Sequence, residues 1–203
     1  HVGSSGQTLT IGGFDAANVD AGSGINTYQF ADGTVLTHEQ LVARGFAFTG
    51  SLGGDVLTGA TNGLNKLAGG AGDDTYIVNH VTDQVLEASS EGIDAVHTSV
   101  DFTLSDFVEN LFAAVPEGSS SAPVALTGNN LSNMIQALPG LPTDNRLQGR
   151  RGNDQILAFE GNDILEGGAG EDTLDGGSGS DTYVFGMGDG VDVVIDQSTA
   201  GTD

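Results

Sequence analysis

Residues 149–184 read as four consecutive nine-residue units, GRRGNDQIL, AFEGNDILE, GGAGEDTLD and GGSGSDTYV. The last two units fit the pattern G-G-x-G-x-D-x-U-x at every fixed position, where U is a large apolar residue. A fifth copy, GGAGDDTYI, also matches in full and stands far from this run, at residues 69–77. Because the pattern recurs in two separate places, we expect the chemistry of this nonapeptide to govern most of the chain.

Each kind of residue in the nonapeptide has its own task. The glycines permit positive φ angles in a tight turn and leave the backbone open to an ion. The Asp at the sixth position supplies a carboxylate, the hard oxygen donor that Ca²⁺ prefers. The last three residues, x-U-x, are predicted to be extended, with U alone pointing inward. The inward residues are Tyr76, Ile156, Leu165, Leu174 and Tyr183.

One nonapeptide cannot bury its single apolar side chain alone, so the units must stack. If two units make one coil, turns 18 residues apart share an edge, which pairs Asp154 with Asp172 and Asp163 with Asp181. Facing carboxylates repel each other without a cation, so the metal is predicted to be part of the fold. A flexible Gly-Asp linker is the alternative interpretation. Four copies in register, each with an apolar residue at the eighth place, argue against it.

The composition supports a cation-binding chain. The 203 residues include 33 Gly, no Cys, 28 Asp+Glu and only 5 Lys+Arg, which gives a formal charge of −23. This charge argues against nucleic acid as a partner, since nucleic-acid binders need a basic surface, and it favours divalent cations. No stretch approaches 18 apolar residues, so membrane insertion is not expected. The first residues do not resemble a signal peptide, and the lack of Cys leaves no disulfide framework.

Regular elements are also predicted outside the nonapeptide copies. A capping box of Thr37 and Gln40 precedes a short predicted helix over residues 38–44, with Gly45 as its end. Strands are predicted over residues 8–11, 27–30, 81–87 and 94–104.

The chain is predicted to have five segments. The last segment halts inside a continuing pattern, so we expect a piece of a longer protein. The segments are 1–49, strand-rich with one worn repeat; 50–78, repeat block one; 79–127, a spacer made of larger coils of the same solenoid; 128–195, repeat block two with a cap; and 196–203, the truncated start of a next unit.

Several copies are degenerate at the sixth position. The copy at 50–58 keeps an acid, Asp55, whereas the copy at 59–68 is one residue longer and has Asn65 in that place. The copies at 128–136 and 140–148 have Asn133 and Asn145. Asn is neutral and a weaker ligand than Asp, so these turns are predicted to hold weaker or empty sites.

Beyond the nonapeptides, the phrases GGAGDDTYIVN, EGIDAVHTSVDFTL, VENL and FADGTVLTHEQL recur between repeat blocks of one large family. With them, the chain resembles the RTX, or haemolysin-type calcium-binding, repeat proteins of bacteria over about residues 20–195. The resemblance implies an all-β fold, a right-handed parallel β-roll with several bound Ca²⁺ ions. It also implies export by a type I secretion system, folding outside the cell, and a secreted or cell-surface location.

The resemblance also implies a set of metal-binding residues. Two copies depart from the family pattern: Arg150 and Arg151 replace a Gly and a small residue, and Ala158 and Phe159 replace both leading glycines. We therefore expect distorted turns there, with Arg150 able to displace an ion. The implied sixth-position ligands are Asp55, Asn65, Asp74, Asn145, Asp154, Asp163, Asp172 and Asp181, and the implied turn glycines are Gly69, Gly70, Gly72, Gly149, Gly152, Gly161, Gly167, Gly168, Gly170, Gly176, Gly177 and Gly179.

Other chemistries fit the sequence less well. An acid stands beside each Gly-rich loop and no helix follows it, which excludes phosphate-binding loops. The four His lack metal-ligand spacing. A carboxylate pair for glycoside hydrolysis is conceivable, but calcium already accounts for most of the acids.

The sequence therefore predicts a calcium-binding segment without catalysis of its own. Its role is either structural, as a spacer in an adhesin, surface layer or matrix protein, or that of an accessory module in an exported enzyme. A protease, lipase, peroxidase or polysaccharide-modifying enzyme would fit the second role. A third, weaker alternative makes residues 79–127 a binding surface for a sugar or a protein partner.

Overall fold

The computed structural model describes residues 27–29, 33–37, 40, 43–60, 64–115 and 122–196. Their strands β1 and β2 form an antiparallel hairpin, and β3 to β18 pair only in parallel. The strands are β1 Thr27–Gln29, β2 Val35–Thr37, β3 Ala47–Thr49, β4 Val56–Thr58, β5 Lys66–Ala68, β6 Thr75–Val78, β7 Gln84–Val85, β8 Ala95–Thr98, β9 Phe102–Thr103, β10 Asn110–Ala113, β11 Ala125–Thr127, β12 Met134–Gln136, β13 Arg146–Arg151, β14 Gln155–Leu157, β15 Ile164–Ala169, β16 Thr173–Gly177, β17 Thr182–Val184 and β18 Val193–Asp196.

The parallel strands alternate between two faces of one solenoid. The even-numbered strands from β4 to β18 form a single eight-stranded sheet, here called sheet one. On the other face, here called sheet two, β3, β5 and β7 form a three-stranded sheet, and the odd-numbered strands from β9 to β17 form a five-stranded sheet. Each coil thus adds one short strand to each face. The predicted all-β, parallel β-roll is confirmed.

The spacer continues sheet one but interrupts sheet two. Strand β8 pairs with both β6 and β10, and β10 pairs with β12, so sheet one runs through residues 79–127 without a break. Strands β7 and β9 are consecutive in the chain but belong to different sheets. A cavity of about 640 Å³ opens at this break. The strands here are shorter than predicted, since residues 81–87 and 94–104 supply only β7, β8 and β9.

The coils of the spacer are not uniformly larger than those of the repeat blocks. Hydrogen bonds join equivalent positions 20 residues apart at Asp74 and Asp94, and 15 residues apart at Asp94 and Glu109. The next coil is longer, since Asn133 bonds to Glu109 at a separation of 24 residues. Coil length in the spacer therefore varies on both sides of the 18-residue spacing found in repeat block two.

The core is a double column of single side chains. On sheet one, the register stacks Tyr76 on Val96 and Ile156 on Leu174. On sheet two, it stacks Leu147 on Leu165. The predicted inward residues Tyr76, Ile156, Leu165 and Leu174 are fully buried, and Tyr183 is partly buried against the same cluster. A column this thin has few apolar contacts per coil, so the turns carry much of the stability.

The N-terminal segment departs from the solenoid. The buried Tyr28 of β1 lies opposite Leu36 in the antiparallel hairpin. The predicted capping box forms: the N–H of Thr37 donates to Oε1 of Gln40 at 3.0 Å, and the N–H of Gln40 donates to Oγ1 of Thr37 at 3.1 Å. The predicted helix over 38–44 falls mostly outside the described residues, as do the predicted strand over 8–11 and most of the worn repeat. In the described part of the chain, no helix is long and apolar enough to cross a membrane.

Candidate metal centre

The turns of successive coils stack with their backbones in contact. Gly168 and Gly170, at the second and fourth positions of their copy, have φ angles of +101° and +156°. A Cβ atom on either glycine would collide with the carbonyl oxygen of the turn one coil earlier, that of Arg150 for Gly168 and that of Gly152 for Gly170. Glycine is therefore required both for the left-handed backbone and for the close approach. The stacking brings backbone carbonyl oxygens close to the turns on each edge.

The sixth-position side chains form a ladder along each edge. The N–H of Asp154 donates to Oδ1 of Asp172 at 2.8 Å, and the N–H of Asp163 donates to Oδ1 of Asp181 at 2.9 Å. Both pairs are separated by 18 residues, so the structure brings together the two pairs that the spacing predicts. One carboxylate oxygen of each ladder acid is thus already used by the backbone of the neighbouring coil.

The second carboxylate oxygen is the notable feature of these turns. In Asp74, Asp154, Asp163 and Asp172, Oδ2 is buried and accepts no hydrogen bond. In Asp74, Asp154 and Asp172 it points back over the first glycine of its own copy, where a Cβ atom on Gly69, Gly149 or Gly167 would collide with it. A buried carboxylate oxygen without a donor costs free energy. Ca²⁺ prefers hard oxygen ligands, and these glycine turns offer carboxylate oxygens beside an accessible backbone. The residues therefore fit the ion that the sequence implies.

Burial changes the acidity of the ladder carboxyls. Burial raises the pKa of Asp154 to about 7, although the hydrogen bond from the N–H of Asn133 works against this, and repulsion from Asp172 adds to it. Burial likewise raises the pKa of Asp163 to about 6, against hydrogen bonds from Asn145. The pKa of Asp172 is also raised by burial. Without a cation, the ladder therefore disfavours its own charged form.

The Asn-bearing turns satisfy their polar groups differently. The amide nitrogen of Asn133 donates to the carbonyl oxygens of Val108 and Glu109, and its Oδ1 accepts from the N–H of Asn129. In the same way, Asn145 donates from its amide to the carbonyl of Thr143 at 2.7 Å. Asn65 donates to the carbonyl of Ala60. Each amide thus provides a donor where an Asp turn has none.

Asp55 differs from the other sixth-position acids. Its Oδ2 accepts hydrogen bonds from the N–H of Ser51 at 2.6 Å and from the hydroxyl of Ser51 at 2.8 Å. These bonds lower the pKa of Asp55. The carboxylate is therefore already satisfied within its own turn, at the first coil of the parallel stack.

The two departures from the family pattern keep the turn conformation. Arg150 and Phe159 occupy the second position with φ angles of +84° and +71°, close to the +83° of Gly177. The expected distortion is therefore not found at this position. Ala158 is buried in the core cluster, and Arg151 is exposed.

Four ladder residues were not predicted from the sequence. The N–H of Asp172 donates to Asp192, that of Asp74 to Asp94, that of Asp94 to Glu109, and that of Asn65 to Asp83. Each stands two residues before an apolar residue at an eighth position, in MGDGVDVVI, SSEGIDAVH, LSDFVENLF and VNHVTDQVL. This acid-x-apolar spacing was the available signal. In two of these copies a non-glycine residue adopts a positive φ angle, Ser90 at +68° and Phe107 at +67°.

Tyrosine at the eighth position has a second function. The N–H of Gly69 donates to the hydroxyl of Tyr76 at 2.8 Å, and the N–H of Gly176 donates to the hydroxyl of Tyr183 at 3.1 Å. In each copy the ring therefore crosses the coil to reach the first turn residue of its own nonapeptide.

Comparison with known families agrees with this geometry. A family model described as the RTX calcium-binding nonapeptide repeat (4 copies) matches residues 139–174 and, in an overlapping match, residues 157–192. The chain contains RTX calcium-binding repeats. The two matches together cover the Asp ladder from Asp154 to Asp192, and the second match ends at Asp192. No curated protein matches the chain. The calcium-binding repeat character is accordingly shown for residues 139–192.

Proposed function

We propose that this RTX segment is a calcium-dependent folding unit, whose β-roll forms only when Ca²⁺ ions lie between stacked turns. The observation that carries the proposal is the set of buried carboxylate oxygens without a donor at Asp74, Asp154, Asp163 and Asp172. Folding without a cation would bury these oxygens unsatisfied, and binding a cation would satisfy them. Metal binding and folding are then one event, because the unfolded chain has no preformed site.

The ligands proposed for these ions come from the turns on each edge. Asp154, Asp163, Asp172 and Asp181 supply carboxylate oxygens in block two, and Asp74 supplies one in block one. Backbone carbonyls of the stacked glycine turns complete the shell, which for Ca²⁺ has about 6–8 oxygens. The turns with Asn65 and Asn145 are proposed to bind weakly or not at all, since their amides already donate to backbone carbonyls.

We propose a structural role for the segment in an exported protein, after type I secretion. A carboxylate-rich chain that remains unfolded at low calcium would cross a secretion channel unfolded and fold outside the cell, where calcium is high. The formal charge of −23 and the lack of Cys are consistent with this order of events. The sequence that flanks the segment in the whole protein tests the role: further repeats on both sides favour a structural spacer, and a catalytic domain upstream favours an accessory module.

Far-UV circular dichroism tests the folding proposal directly. Spectra at pH 7.5 are recorded in EGTA and in millimolar Ca²⁺, with equal Mg²⁺ as the control for ionic strength. We expect a β spectrum and a cooperative thermal transition only with Ca²⁺. The same folded spectrum in all three conditions would contradict the proposal.

A further inference from the structure

Three carboxylates converge where repeat block one passes into the spacer. Asp74 is the sixth residue of the copy at 69–77, and Asp94 is its counterpart one coil later. Glu87 lies between them in the chain and has no place in either nonapeptide. One oxygen from each of the three side chains lies within 4.8 Å of the other two. Among the described residues, no other group of three such side chains comes this close together.

Glu87 reaches this position through a two-residue insertion. The degenerate copies VNHVTDQVL at 78–86 and SSEGIDAVH at 89–97 are separated only by Glu87 and Ala88. Strand β7 ends at Val85, and the N–H of Ala88 donates to Oε2 of Glu91 at 2.7 Å, which orders the chain after Glu87. The insertion therefore places an additional acid beside a turn that already has its own ladder acid.

The ladder satisfies only part of these three side chains. Asp74 and Asp94 are each only 1% exposed. Their Oδ1 atoms accept from the N–H groups of Asp55 and Asp74, at 2.7 and 2.8 Å. Oδ2 of Asp74 and both carboxylate oxygens of Glu87 are buried and accept no hydrogen bond.

No basic side chain offsets this charge. The salt bridge between Arg146 and Glu166 lies in repeat block two and involves none of the three. Burial, and then repulsion from Asp94, raises the pKa of Glu87 to about 8. A bound cation would offset the repulsion between these carboxylates and satisfy their buried oxygens.

We propose that Asp74, Glu87 and Asp94 together form a distinct Ca²⁺ site, in which the spacer supplies a third carboxylate. The inference rests on the proposed calcium-dependent function and adds a ligand from outside the nonapeptides. A higher count of charged ligands raises calcium affinity, so this site binds more tightly than the two-carboxylate turns of the ladder. Its ion ties the spacer to block one directly beside the break in sheet two.

Calcium titration of charge-neutral variants tests the inference. Equilibrium dialysis with Ca²⁺ and isothermal titration calorimetry compare the full chain with its Glu87→Gln and Glu171→Gln variants at pH 7.5. Glu171 is the matched control, because it is an exposed glutamate directly before the ladder acid Asp172. We expect Glu87→Gln to lose one ion per chain, or to bind one ion at least tenfold more weakly, and Glu171→Gln to match the wild type.

A double variant shows whether Glu87 and Asp74 share an ion. If they do, Asp74→Asn combined with Glu87→Gln loses no more ions than Asp74→Asn alone. Additional loss in the double variant would place Glu87 at a different ion and overturn the inference. Unchanged number and affinity of ions in Glu87→Gln would also overturn it, while leaving the ladder proposal intact. Failure of the calcium-dependent folding proposal has a different result, since the wild type would then give the same folded spectrum in EGTA and in Ca²⁺.

Discussion

The Asp-bearing turns of residues 149–184 and the Asn-bearing turns of residues 128–148 occupy neighbouring coils of the same solenoid, yet they satisfy their buried polar groups in opposite ways. Asp154 and Asp172 each leave one buried oxygen without a donor, whereas Asn133 donates from its amide to two backbone carbonyls. The fourth position differs as well: the Asp-bearing turns have Gly152 and Gly170 there, and the Asn-bearing turns have Leu131 and Thr143. The side-chain nitrogen of Asn donates to the backbone, whereas the second carboxylate oxygen of Asp has no donor. This one atom thus distinguishes a turn that is hydrogen-bonded by its own side chain from a turn that is proposed to need a cation.

If the proposed function is right, this difference means that one calcium-binding solenoid contains coils that do not depend on calcium. The Asn turns carry no formal charge at the sixth place, so stacking them creates no carboxylate repulsion. They continue the sheet register without interruption, with Ile135 paired to Ile156 and Leu126 paired to Leu147. We therefore interpret the Asn coils as self-sufficient connections between calcium-dependent blocks.

Exchanging the two kinds of turn should give the largest effect. In Asp154→Asn combined with Asp172→Asn, the ladder hydrogen bonds can be kept, because an amide oxygen still accepts them, but the calcium ligands are weakened. With Ca²⁺ at 100 times its Kd, loss of one ion lowers the free energy of unfolding by about 2.7 kcal/mol. In calcium-free buffer we expect the opposite sign, since the buried charge is removed. Urea denaturation followed by circular dichroism measures both.

The reverse exchange is the control for this prediction. Asn133→Asp places a carboxylate below Asp154 and should make the Asn coil sensitive to calcium, with lower stability in calcium-free buffer. If the Asp→Asn pair changed stability equally with and without Ca²⁺, the contrast between the two kinds of turn would have no basis in calcium binding.

Turn stacking should give the next largest effect. Gly170→Ala introduces a Cβ atom that collides with the carbonyl oxygen of Gly152, whereas Gly188→Ala meets nothing within 4 Å although its φ is also positive, at +95°. A non-glycine residue in the left-handed region costs about 1 kcal/mol or more, and forced overpacking adds roughly 1–3 kcal/mol. In saturating Ca²⁺, thermal melting should therefore show a clearly lower Tm for Gly170→Ala than for Gly188→Ala. Equal losses would show that the close backbone approach contributes nothing.

The pH dependence of the calcium-free protein should give the smallest effect. Burial raises the folded-state pKa of Asp154 to about 7 and that of Asp163 to about 6, above the ordinary value of about 3.9. The folded state then binds more protons than the unfolded state between about pH 4 and pH 7, so stability falls as the pH rises through this window. Lowering the pH from 8 to 5 in metal-free buffer should increase the ordered fraction seen by circular dichroism.

The Asp154→Asn, Asp163→Asn variant isolates the source of this pH dependence. Its calcium-free stability should change less between pH 8 and pH 5 than that of the wild type, because two of the titrating groups are gone. An unchanged profile would assign the dependence to acids outside the ladder.

Parts of this architecture could be predicted from residue types alone. The eighth-position apolar residues and the sixth-position acids of the full copies identify the column and the ladder, because their spacing is strict. Asp83, Asp94 and Glu109 were not predicted, since their copies lack most of the pattern glycines and keep only the acid-x-apolar spacing. Asp192 was not predicted either, because its copy lacks the first glycine. The positive φ angles of Arg150 and Phe159 were also unexpected. Whether a non-glycine residue can adopt such an angle depends on the stacked backbone and not on the residue type alone.

The sequence by itself determined the repeat and its inward residues, and it predicted the need for a cation, because each follows from chemistry within nine residues. Only the tertiary structure decided which acids face one another, because the facing partner lies 15 to 24 residues away and depends on the length of each coil. It also placed Glu87 beside Asp74 and Asp94, where burial, and not sequence spacing, makes three carboxylates into one site.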